Sequence, residues 1–94
     1  MKKKIPYGTK LPVHFSEKEI DLIREHTFYP ESENLVGLME KRKIKVMLSL
    51  DDIEDLHGYV AAEANHTEDK KLQNALDKIL NRLYAYFIEY DDQE

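Results

Sequence analysis

Leu11-Pro-Val-His-Phe-Ser-Glu-Lys-Glu-Ile20 and Ile44-Lys-Val-Met-Leu-Ser-Leu-Asp-Asp-Ile53 carry the signals that decide the fold. In the first, Leu11, Val13 and Phe15 alternate with Pro12 and His14, the two-residue period of a half-buried strand. Pro12 has no backbone donor, which places this strand at a sheet edge or at its own start. Ser16 followed by Glu19 forms a capping box, so a helix begins there and runs to about His26 with Ile20 and Ile23 on its buried side. The second stretch repeats the grammar: Ile44, Val46 and Leu48 alternate, then Ser49 and Asp52 open a helix anchored by Ile53. Leu11, Val13, Phe15, Ser16 and Ile20 match Ile44, Val46, Leu48, Ser49 and Ile53 at a constant offset of 33 residues. This reads as one strand–helix unit used twice, whose copies bury their apolar faces together. The intervening segment is long enough for a parallel crossover. An antiparallel pair about a pseudo-twofold is equally allowed.

Working outward, Pro30 ends anything helical before it. Leu35, Leu38 and Met39 have helical spacing and predict a second short helix from Glu31 to about Arg42, weakened by Gly37. Ile53, Leu56, Val60 and Ala64 predict a third helix. Asn65-His66-Thr67 breaks it, and Thr67 is positioned to cap a fourth. The stripe of that last helix is Leu72, Leu76, Ile79, Leu83, Tyr86/Phe87 and Tyr90. The expected architecture is α+β: two short strands and about four helices, the last two an antiparallel hairpin. Residues 1–10, with four lysines, Pro6 and Gly8, read as a flexible basic arm, and residues 11–94 as one domain.

The chain has 94 residues, 41% hydrophobic and 35% charged, with a net charge of −5. That length supports one core, and the composition is too apolar and aromatic for a disordered chain. The absence of cysteine removes disulfide scaffolds, thiolate metal sites and cysteine nucleophiles. Met1-Lys-Lys-Lys4 leads into Ile5-Pro-Tyr-Gly8 rather than an apolar core, so it does not read as a signal peptide. Runs such as Leu83 to Ile88 are too short to span a membrane. The expected setting is cytoplasmic.

Leu48-Ser-Leu-Asp-Asp-Ile-Glu-Asp-Leu-His-Gly-Tyr-Val-Ala-Ala-Glu-Ala-Asn-His-Thr67, with Lys10-Leu-Pro-Val-His-Phe-Ser-Glu-Lys-Glu19, resembles a segment that accompanies plasmid open-reading-frame-three-like proteins, named after a root-inducing plasmid. The resemblance covers most of residues 10–83. Gly58 to Thr67 is its most specific part. Those proteins are of uncertain function, and the larger domain that usually travels with the segment is missing here. The resemblance therefore implies a neighbourhood and no activity.

Glu63 and His66 have the spacing of a carboxylate–imidazole metal pair on one helix face. A di-metal bundle needs that motif twice, and only one copy exists, so no metal or other cofactor is expected and the pair stands as an alternative. His57 reads as a boundary histidine. No nucleophile elbow or glycine-rich phosphate loop is present, and the expectation is a protein without catalytic residues. Gly58, Ala61, Ala62 and Ala64 make the third helix thin, which reads as close packing against the fourth. Lys41, Arg42, Lys43 and Lys45 form the one concentrated basic patch, an alternative nucleic-acid contact together with Lys2–Lys4. Interleaved stacking aromatics are missing, and Asp51, Asp52, Glu54 and Asp55 follow close behind. Tyr84 and Ile88, one turn apart on a second face of the last helix, are the candidate partner surface. The leading expectation is a non-catalytic interaction or regulatory module with a protein partner, at most a weak homodimer, and no membrane contact.

Overall fold

The computed structural model describes residues 2–30 and 35–93. The elements in order are β1 (Lys3–Pro6), β2 (Leu11–Phe15), α1 (Glu17–His26), β3 (Leu38–Glu40), β4 (Lys43–Leu48), α2 (Leu50–His66), α3 (Lys70–Glu89) and β5 (Tyr90–Gln93). The fold is α+β, with three helices and five strands among the described residues.

Both copies of the strand–helix unit are present. Ser16 caps α1 and Ser49 caps α2, each in a complete capping box. β2 and β4 run antiparallel, with Leu11 opposite Leu48, Val13 opposite Val46 and Phe15 opposite Ile44. Residues 13 and 46 are themselves separated by the repeat offset. A twofold through the Val13–Val46 pair therefore exchanges the two units, which settles the orientation that the spacing left open. The helices inherit the relation: Ile20 and Ile53, then Ile23 and Leu56, are buried at equivalent positions.

One apolar cluster joins the units. Val13, Phe15 and Val46 from the sheet meet Ile53, Leu56 and Val60 of α2 and Leu76, Ile79 and Leu83 of α3. The Gln73 side chain donates to the Ala64 carbonyl at 3.4 Å, while the His57 and Phe87 rings meet at 5.5 Å. These contacts at opposite ends of the pair make α2 and α3 the expected antiparallel hairpin.

Four expectations need correction. The helix predicted over Glu31 to Arg42 is not formed where it can be seen; residues 31–34 lie outside the described residues. Leu38–Glu40 instead pair with β4, Leu38 opposite Lys45 and Glu40 opposite Lys43. Gly37 explains the preference, because a Cβ there would sit 1.8 Å from the Lys45 carbonyl oxygen. Only glycine lets the chain lie this close to β4, and that pairing overrides a three-residue helical spacing. Secondly, the segment read as an arm contains β1, which pairs in parallel with β5, Lys3 opposite Tyr90. Tyr90 consequently starts a strand rather than ending the helical stripe. Thirdly, α3 is capped by Asp69, whose carboxylate accepts from the Lys71 and Leu72 amides. Thr67 closes α2 and accepts from the Asp69 amide at 3.2 Å. Lastly, Gly58 faces open space and is not at the α2–α3 contact.

Candidate functional site

The two helix starts are tied down by ions as well as by caps. At α1, the Arg82 guanidinium donates to both Glu19 oxygens at 2.8 and 3.0 Å and to the His14 carbonyl at 3.0 Å. It also lies 5.8 Å from the Phe15 ring centroid. At α2, Lys10 donates to Asp52 at 3.1 Å. Burial pushes the Glu19 carboxyl up, but hydrogen bonds from Arg82 and Ser16, with the charges of Arg82 and Lys43, hold it below its ordinary value. Asp52 is lowered on the same balance, its burial outweighed by Ser49 and Lys10. Lys10 and Lys43 stand at the repeat offset, so each unit has one lysine acting on the other unit's capping carboxylate. That lysine match was available in the sequence and extends the repeat by a residue. Arg82, 63 positions from Glu19, gave no local signal.

The three-stranded sheet, ordered β2–β4–β3, has two unlike edges. Along β2, the outward carbonyls of Pro12 and His14 accept from Tyr86 and Arg82 of α3. Pro12 has no amide to leave unpaired, so that edge is sealed as its sequence suggests. Burial, with neighbouring Tyr90 and Glu89, raises the Tyr86 hydroxyl above its ordinary value of 10.0, keeping it a donor. β3 is the other edge. The β3–β4 hairpin turns through Lys41 and Arg42, both at positive φ (46° and 71°). In a two-residue hairpin the residues flanking the turn exchange hydrogen bonds and the next pair does not. Met39 therefore directs its N–H and C=O away from β4. Met39 is 52% exposed, and Leu38 and Val36 are 70% and 65% exposed.

The basic run is divided among three surroundings. Lys41 and Arg42 occupy the turn, Lys45 pairs with Glu40 at 3.1 Å, and Lys43 faces the α1 cap. Glu63 is half-buried and His66 exposed at the end of α2, and among the described residues no group of three or more metal-binding side chains forms. His57 is half-buried against Phe87. Tyr84 and Ile88 are both exposed, and Tyr84 meets Phe87 edge-on. No helix among the described residues is long and apolar enough to cross a membrane. No protein family, curated protein or solved structure matches the chain.

Proposed function

We propose that this protein is a non-catalytic interaction module that takes an extended strand of a partner protein at the β3 edge. One observation carries the reading: α3 closes the β2 edge with side-chain donors, while β3 is the other edge, its Met39 backbone groups directed away from β4 and its Leu38 and Met39 residues exposed. Added strands gain affinity from main-chain hydrogen bonds and specificity from alternate side chains. An edge of only three residues suits a transient contact. The resemblance to a segment that travels with a larger domain agrees with an accessory role.

Met39→Pro tests it, since proline removes a donor that the β3–β4 ladder does not use. Tagged native protein is expected to capture a partner from native extract that Met39→Pro does not. Identical captures by both would remove the β3 edge from the function. Weak self-association through Tyr84 and Ile88 is a second reading, favoured by their exposure of 55% and 59%. It predicts concentration-dependent light scattering that Ile88→Glu abolishes. A nucleic-acid role for Lys41, Arg42, Lys43 and Lys45 has less support, because the run divides among three surroundings.

A further inference from the structure

α1 presents Lys18 and Leu22 one turn apart, and α3 presents Lys71, Ala75, Lys78 and Arg82 along one stripe. The two stripes face each other across a groove of about 520 Å³, which Lys43 enters from the start of β4. Among the described residues its lining holds five Lys/Arg side chains and a single acid. That one acid, Glu19, is already matched by Arg82 in a bidentate pair. Lys18, Lys71 and Lys78 remain, with Lys43 also acting on Glu19 through its charge, and none of the four makes a direct ion pair with a described residue. In a chain of net charge −5, this is a strong segregation of charge. The groove continues past Leu22 and Ala75 into a hollow that adds Leu72 together with His26 and Asp69, whose carboxylate is already engaged as the α3 cap.

We infer that the α1–α3 groove docks an acidic amphipathic segment of a partner protein. The four lysines complement carboxylates, and Leu22, Leu72 and Ala75 receive apolar side chains between them. From Lys71 to Arg82, α3 extends roughly 16 Å, the length of about three helical turns. A nucleic acid fits the same groove less well. Among the described residues no Phe, Tyr or Trp lines it to stack bases, and its guanidinium is committed to Glu19. This surface is separate from the β3 edge, and the inference does not depend on that reading.

The probe is a fluorescein-labelled helical peptide of about three turns, with glutamates on one face and leucines on the other. Its anisotropy is titrated against the full chain. The expected result is saturable binding that weakens as salt rises and falls at least about tenfold in Lys71→Glu/Lys78→Glu. Lys71→Gln/Lys78→Gln, a milder change at the same exposed positions, is expected to fall between the two and covers the case of a charge-reversed variant that does not fold. Three results would overturn the inference: no binding by the native protein, undiminished binding by the folded variants, or equal binding of a peptide with lysine in place of glutamate. A single-stranded oligonucleotide binding more tightly than the acidic peptide would overturn it too, and make the groove a nucleic-acid site.

Discussion

Lys10 and Lys43 do more than decorate the starts of their strands. Each lies across the antiparallel ladder from the serine of the other unit, beside the carboxylate that serine's cap engages. Loss of either cap oxygen ordinarily costs about 1 kcal/mol. Glu19 adds a dependence on acidity whose sign follows from its lowered pKa. Its contribution to stability is fully present above the ordinary carboxyl value of 4.5 and is lost as the pH falls through the depressed folded value. Asp52 behaves alike, with an ordinary value of 3.8. Glu19→Gln is therefore expected to be less stable than the native protein at neutral pH. The difference should shrink as both are acidified below about pH 4.5, where the native carboxylate also loses its charge. Urea unfolding midpoints measured at intervals from pH 7 to pH 3 check this. A constant gap across that range would mean that the carboxylate's charge contributes nothing.

At the scale of elements, two glycines that look alike in the sequence act in opposite directions. Gly37 lies against the β4 backbone, and an added methyl collides with the Lys45 carbonyl. Gly58 lies on the outer side of α2 with nothing within 4 Å of an added Cβ. Gly58→Ala is expected to stabilise the protein by up to about 1 kcal/mol, the helix-propensity difference. Gly37→Ala is expected to destabilise it and to loosen β3 from β4. Thermal unfolding of both variants beside the native protein gives the two signs directly. The helix expected over residues 31–42 failed for the same reason that Gly37 is needed. Apolar spacing over five residues states a local preference, and pairing with β4 outweighs it. The capped starts of α1 and α2 were legible because capping boxes and their first buried anchors lie within a few residues of each other. Thr67 was mistaken for the α3 cap because two cap-forming residues, Thr67 and Asp69, stand close together, and only the loop geometry separates their roles.

For the whole molecule, the twofold about Val13–Val46 joins two units into one buried cluster, while β1 and β5 form a separate two-stranded parallel pair. In that small sheet Ile5 and Tyr90 are only partly buried, and an isolated strand pair is marginal by itself. Amide hydrogen exchange is expected to be fastest there and slowest in β2, β4 and the facing sides of α2 and α3. Protection of residues 3–5 equal to that of β4 would show that the terminal pair unfolds only with the core. The sequence alone determined the α+β class, the two strand–helix joints and the α2–α3 hairpin. All of these depend on periodicity and capping, which act over a few residues. Tertiary structure decided the antiparallel register, the β3 edge, the β1–β5 pair and the gathering of Lys18, Lys43, Lys71 and Lys78 around one groove. Those features come from contacts between residues tens of positions apart, where hydrogen-bond satisfaction and burial choose among arrangements that local patterns leave equal.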